Sequence, residues 1–448
     1  MFLLIACAPA PVAPALPEPH PYAEQVAQLY AAAAESTVAY DRLEHLTTVI
    51  GNRISGSAEL ERAIDWASAE LASDGFTVDH QSVMVPVWVR GDESVTLLEP
   101  EERELAMLGL GGTVAGDVTA QVVVVRTWEE LETADVAGRI VLYDMEWKGY
   151  RDTVGYRARG ADEASKRGAV GVLIRSVTSQ SLYTPHTGGV RYDPEVTSIP
   201  AAALTVEDAA WIRRITATGQ TVTVRLQTQG QTLPDRASRN TLADLPGREA
   251  PDELVVVGCH IDSWDVGQGA QDDGSGCMIA WEGARLLAAS GLTPRRTVRV
   301  VLFTNEENGL AGGRHYGDAV DPTQHAAVLE SDQGNGRAAG FRYDLRMEDE
   351  AGKANAEARM AEVARGLEPI GGGTWEAGYA GADIGPMAGH GVTALGMAHD
   401  TTTYWPIHHT DADTFDKIVL EDLQHNAGLM AAALYLLAED PAWPTDPQ

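Results

Sequence analysis

From residue 22 onward the chain repeatedly changes its hydrophobic period. Tyr22, Val26, Leu29, Tyr30 and Ala33 recur at spacings of three and four, which predicts a helix with one buried face. The same spacing returns over 57–74, where Leu60, Ile64, Ala67 and Leu71 form the apolar stripe, Ser57 caps the first turn and Gly75 closes the end. Text at 78–89 and 94–98 predicts strands. Residues 8–21 show no period, and their Pro and Ala content predicts an extended linker.

Between about 112 and 231 the elements are short and alternate in type. Strands are expected at 121–126, 138–144, 171–174, 199–201 and 222–226, and helices at 158–167 and 206–215. That alternation predicts a small α/β module inserted in the chain. After Pro234 the units lengthen: strands at 254–259, 297–304, 326–329 and 392–397 alternate with helices at 274–290, 308–320, 351–367 and 421–439. Uninterrupted apolar strands between helices predict an α/β fold with a mostly parallel sheet covered on both faces. The expected division is a leader and linker at 1–21, a catalytic domain in two parts at 22–111 and 232–448, and the insert at 112–231. In such sheets ligands bind beyond the C-terminal ends of the strands, so the polar residues there carry the functional question.

Charge narrows the classes. Lys and Arg number 33 against 65 Asp and Glu, a net charge of −32, which repels phosphate backbones and anionic headgroups and excludes nucleic-acid binding. No run approaches the roughly 18 apolar residues of a spanning helix, so no transmembrane segment is expected. Of the three cysteines, Cys259 and Cys277 are read as no disulfide framework and no structural zinc pattern. Cys7 closes the tetrad Leu4-Ile5-Ala6-Cys7, which resembles a bacterial lipobox preceded by a truncated signal. Export is therefore expected, as a periplasmic, outer-membrane-anchored or secreted protein with a lipid anchor at Cys7. The plainer alternative is a frayed apolar N-terminus.

The strand ends release imidazoles and carboxylates. The first ends in Cys259-His260-Ile261-Asp262, followed by Gln271-Asp272-Asp273-Gly274 at a helix start. The next ends in Asn305-Glu306-Glu307, the third in Glu330-Ser331-Asp332, and His408-His409-Thr410-Asp411 lies far downstream. Nitrogen and oxygen donors without thiolates suit Zn2+ or a neighbouring first-row ion. This order resembles the co-catalytic dizinc exopeptidases with the zinc-aminopeptidase fold. The segments CHIDSWDVGQGAQDDGSG, ESDQG, YTPHTGG and WPIHHTDADT resemble the carboxypeptidase Q (plasma glutamate carboxypeptidase) branch of that family, over about 25–438. The wording from GRIVLYD to IPAAALTVEDA resembles the protease-associated domain inserted in some exopeptidases. Cys259 and Asn305 stand where that branch usually has small residues.

Carried onto this chain residue by residue, the resemblance implies two Zn2+ ions: one on His260 and Asp332, one on Glu307 and His409, with Asp272 bridging. It implies Glu306 as general base for a metal-bridged water, Asp262 as the residue fixing the His260 tautomer, and a homodimer. The expected activity is hydrolysis of dipeptides or short peptides. An aminopeptidase on the same site, or a non-catalytic receptor on the same scaffold, are the alternatives. Asp383 is read either as a ligand for a substrate amine or as a cap, and Trp264 as core or subsite. His186 and Arg175 of the insert are read either as cleft residues for a substrate carboxylate or as solvated surface. His408 is a neighbour shaping the cleft, and His20, His45, His80, His315, His325 and His425 are surface or internally satisfied.

Overall fold

A computed structural model of the chain describes residues 19–443; Cys7 and the 1–18 leader lie outside them. The first amphipathic stripe is the helix Ala23–Ala34, with Val26, Leu29 and Ala33 buried. The second is Ala58–Ser73, whose N-cap Ser57 accepts the Leu60 N–H and whose Leu60, Ile64, Ala67 and Leu71 face the core. The second packs on one eight-stranded sheet, and the first packs on the helices Ser275–Ser290 and Leu420–Glu439 that cover it.

That sheet runs in the order Thr77–Val89, Gln231–Leu245, Arg296–Phe303, Ala250–His260, His325–Glu330, Thr393–Met397, Gly340–Asp344, Thr374–Ala377. The four strands from Arg296–Phe303 to Thr393–Met397 are mutually parallel, with antiparallel partners outside them. Alternate residues of the central strand show why both faces are apolar. Val255, Val257 and Cys259 join the core under the helices Ser275–Ser290 and Leu420–Glu439. Leu254 and Val256 join the opposite one with Tyr316 and Met387. The mostly parallel sheet with helices on both faces is borne out.

A second eight-stranded sheet forms the insert, in the order Arg103–Leu105, Glu93–Glu99, Thr223–Thr228, Gly116–Val125, Ile140–Tyr143, Gly171–Arg175, Ala201–Leu204, Met107–Gly109. It draws on strands at 93–109, outside the 112–231 bounds expected for the insert. The long strand Gln231–Leu245 was not foreseen; it pairs along Thr77–Val89 with much of its first half exposed, so no apolar run marks it. The insert's helix spans Tyr150–Ser165 and so starts eight residues before the expected 158. Its first turns carry Tyr150, Arg151 and Asp152 in place of an apolar stripe.

Cys259 and Cys277 are bonded to each other. This corrects the expectation that they form no disulfide. The strand–turn–helix unit returns the first turn of Ser275–Ser290 onto the end of Ala250–His260, which brings together two buried cysteines 18 residues apart.

Candidate active site

Every donor singled out in the sequence stands at the C-terminal rim of the parallel strands. His260 is the last residue of Ala250–His260, and Asp272 sits in the turn before Ser275–Ser290. Glu306 and Glu307 follow Arg296–Phe303, Asp332 follows His325–Glu330, and His409 lies in the loop after Thr393–Met397. His260 Nε2 is 3.4 Å from Asp272 Oδ1 and 3.4 Å from Asp332 Oδ1. His409 Nε2 is 3.1 Å from Asp272 Oδ2 and 3.0 Å from Glu307 Oε2. The separations thus fall into two sets that share the Asp272 carboxylate, one oxygen in each.

Two ligands at about 2.0–2.1 Å from one tetrahedral ion lie roughly 3.3–3.4 Å apart, a span that the two His260 separations match and the two His409 separations fall a little short of. The Glu307 Oε1 atom is buried and accepts no hydrogen bond among the described residues. Burial pushes Glu306 well above the usual carboxylate range, with Asp332, Glu307 and Asp262 adding repulsion against the pull of His260. Glu307 is pushed up to about 7, again chiefly by burial. Burial opposes charge on His409 as well, yet Glu307 and Asp272 raise it to about 9. An anionic cluster that draws protons onto its imidazoles in this way needs positive charge, and the residues fit divalent ions.

Relatives point the same way. A model of peptidase family M28 matches residues 240–434, and a PA domain model matches 113–212. Carboxypeptidase Q of Mus musculus is 38% identical over 408 residues, covering 89% of this chain and 85% of the relative. The Homo sapiens protein gives the same identity and coverage. The chain belongs to peptidase family M28. As a member it is an enzyme, a metallo-exopeptidase, and its resemblance to carboxypeptidase Q is borne out. The crystal structure of a peptidase M28 precursor from Shewanella amazonensis SB2B superposes with a TM-score of 0.88 at 33% identity, covering 94% of this chain and 97% of that one. An aminopeptidase from Aneurinibacillus sp. strain AM-1 shares the fold, with a TM-score of 0.67 at 20% identity over 94% and 98% of the two chains.

Around the donors of this M28 peptidase lies a set of residues that sequence spacing did not reveal. Arg53 is fully buried and donates to the carbonyls of Gly51, Ile261, Gln268 and Gly269, stapling the loop between His260 and Asp272. Burial lowers its pKa to about 10, with Asp413, Asp262, Asp273 and Glu307 resisting the shift. Asp413 accepts the N–H groups of Ala270, Gln271 and Asp272 and so holds the shared carboxylate in place. Asn305 takes a left-handed φ of 63° and binds Ser55 Oγ and the Ala311 N–H, fixing the turn that presents the two glutamates. The only advance signal was the Thr-x-x-Asp wording after His409, which ends in Asp413.

Several expectations need correction. The Nδ1 of His260 lies 3.0 Å from the main-chain carbonyl of Asp262, while the nearer carboxylate oxygen is 3.7 Å away. The Asp262 carboxylate instead accepts the Glu306 and Glu307 N–H groups at 3.0 and 3.3 Å. Arg175 is buried and spends its guanidinium on the carbonyls of Ser176 and Thr178, so it does not face the cleft. His186 is wholly buried with neither ring nitrogen bonded, and burial holds its pKa down at about 3. Trp264 is core, packed with Leu108 and Val266 against Gly111, where a Cβ would stand 2.0 Å from its ring. Asp383 caps nothing and is sealed from solvent beside Glu330, which accepts the Asp383 and Ile384 N–H groups. His408 stacks on His409 at 3.5 Å between centroids, and its Nε2 is 3.5 Å from Asp272 Oδ2. It therefore stands closer to the donors than a cleft-shaping neighbour needs to, but it lacks the link to Glu307 that His409 has.

Proposed function

We propose that this M28 peptidase is a dizinc exopeptidase hydrolysing dipeptides or short peptides. The observation that carries the reading is the division of five donors into two sets sharing Asp272. His260 and Asp332 would hold one zinc, Glu307 and His409 the other, with Asp272 common to both. Two zinc ions in such a site polarise the scissile carbonyl and lower the pKa of water toward about 7. Glu306 adjoins the proposed ligand Glu307 at the same strand end; it would take the proton of the attacking water and return it to the leaving amine. Asp262 keeps Glu306 and Glu307 in register by holding their main-chain N–H groups.

The insert supports a limit on substrate length. Its Tyr150 stacks on Trp405 of the catalytic part at 4.9 Å, and Arg151 lies 5.6 Å over the ring of Tyr379. These contacts close one side of the site and leave Arg151, exposed and without an acidic partner among the described residues, as the cation available to a free carboxylate. Rates on free dipeptides, N-blocked peptides and C-amidated peptides, measured on zinc-loaded enzyme, test the reading. Cleavage of free dipeptides with loss on C-amidation supports a carboxypeptidase or dipeptidase; loss on N-blocking alone supports an aminopeptidase; no cleavage of any supports a receptor. The homodimer and the exported, Cys7-acylated form rest on the sequence resemblance alone and belong to the same proposal. Light scattering and labelled-palmitate incorporation test them. Among the described residues no helix is long and apolar enough to cross a membrane.

A further inference from the structure

The two donor sets differ in what holds their imidazoles. His260 is oriented from within its own loop, by the Asp262 carbonyl 3.0 Å from Nδ1. Among the described residues of the catalytic part none hydrogen-bonds the His409 Nδ1, although His408 stacks on the ring and Trp264 meets it edge-on at 5.6 Å. That Nδ1 faces the insert, where the Thr187 carbonyl lies 3.4 Å away and Arg157 Nη1 lies 3.3 Å away. The contact is built from several directions. The Thr187 N–H donates to the His409 carbonyl at 2.9 Å, and the Thr187 hydroxyl donates to the Gly109 carbonyl at 2.7 Å. Arg157 Nη1 donates to the Thr187 carbonyl at 3.2 Å, and Nη2 donates to Tyr150 Oη at 2.7 Å. Arg157 is 6% exposed and forms no ion pair among the described residues, so its place is not explained by a carboxylate. Gly188 makes room for it: a Cβ there would stand 2.2 Å from the guanidinium carbon. The Thr-Pro-His-Thr-Gly-Gly wording of the insert thus has a local job, which is to present one carbonyl and admit one guanidinium beside His409.

We infer that Thr187 and Arg157 of the insert position His409, so that one of the two metal sites is completed by the inserted domain and the other is not. An imidazole that gives Nε2 to a metal keeps its proton on Nδ1 and needs an acceptor there; the Thr187 carbonyl, 3.4 Å away, is that acceptor, and Arg157, which can only donate, acts by holding that carbonyl and not by bonding Nδ1. Arg157 is a positioning residue, since it acts on His409 through this contact. The inference rests on the dizinc reading above.

Zinc titration of the metal-stripped full-length chain against a chromogenic competitor tests both separately. Two binding steps are expected in the unaltered chain. Arg157→Gln weakens one step by about 10–100-fold, the usual cost of losing an outer partner of a metal ligand, and leaves the other unchanged. His409→Ala abolishes the same step, and Asp332→Asn weakens the opposite one. Arg157→Lys, which keeps the charge and loses the planar fork, recovers part of the affinity. Gly188→Ala displaces the guanidinium without removing it and gives the same one-step loss, which covers the case of an Arg157→Gln chain that does not fold. Equal weakening of both steps, or no change in either variant, overturns the inference while the dizinc reading stands. Fewer than two steps in the unaltered chain overturns both.

Discussion

Glu306 and Glu307 are neighbours in sequence with opposite surroundings. Glu307 meets His409 and belongs to a donor set, whereas among the described residues no imidazole lies within ion-pair reach of Glu306, and burial, opposed by His260 but joined by nearby carboxylates, favours its protonated form. Glu306→Gln is expected to keep both metals and lose about 10²–10⁴-fold in kcat, the typical share of general acid–base catalysis. Glu307→Gln is expected to lose metal from one site. Elemental analysis beside kinetics decides it, and equal metal loss in both variants would show the roles reversed. A residue far from the site sets part of the acid stability. His325 is satisfied by Tyr316 Oη at 3.0 Å and the Asp321 carbonyl at 2.8 Å, and burial pushes its pKa down to about 4. Its unfolded pKa is about 6.5, so between those values the unfolded chain binds a proton that the folded one refuses. The neutral ring therefore stabilises the fold fully above pH 6.5, and that contribution, roughly 3 kcal/mol, is lost as pH falls through 4. His325→Gln should flatten the Tm profile over that window, although His399, also pushed down to about 4 by burial, retains part of the slope.

At the scale of elements, loops carry the chemistry and strands only aim it. The turn before Ser275–Ser290 holds Asp272 through three N–H groups that all end on Asp413. Asp413→Ala leaves those buried donors unpaired at about 1–3 kcal/mol each, so Tm should fall and zinc affinity should drop with it. A cap elsewhere gives the contrast. Ser57→Ala removes the acceptor of the Leu60 N–H and should cost about 1 kcal/mol in denaturant unfolding with metal content untouched. Loss of metal in the cap variant, or none in the Asp413 variant, would separate loop and helix differently from this account.

For the molecule as a whole, an acidic chain of net charge −32 gathers its most buried carboxylates at one rim. Cations bound there stabilise the folded state and not the unfolded one, by about 2.7 kcal/mol per site at a hundredfold excess over Kd. Chelation is expected to lower Tm by several degrees and zinc to restore it, as scanning calorimetry would record. The two domains share this dependence. Arg90, at the junction between the sheets, pairs with Asp265 at 2.5 Å and Glu93 at 3.3 Å and also meets the Gly109 carbonyl. A chelated chain that unfolds at the same temperature as the loaded one would rule out the coupling.

The sequence by itself determined the parallel core and the order of its donors. Both follow from short-range grammar: an apolar run too short for a helix is a buried strand, and the polar residues just beyond it must lie at the rim. His260, Glu306, Glu307 and Asp332 stand just past such runs, whereas Asp272 and His409 do not, and the division of the six into ligands and base came only from the resemblance to the dizinc exopeptidases. The strand Gln231–Leu245, exposed over much of its first half, and the early turns of Tyr150–Ser165 were not legible, because exposed or cleft-facing text has no apolar period. Only the tertiary structure decided which groups touch. Arg53 reaches Ile261 across 208 positions, and Arg157 reaches His409 across 252. No local pattern encodes such contacts, since each depends on how separate loops are packed once the sheets have formed. The same packing buried His186, Arg175 and Asp383 and joined Cys259 to Cys277, and it gave the Asp262 carboxylate to a neighbouring turn in place of an imidazole.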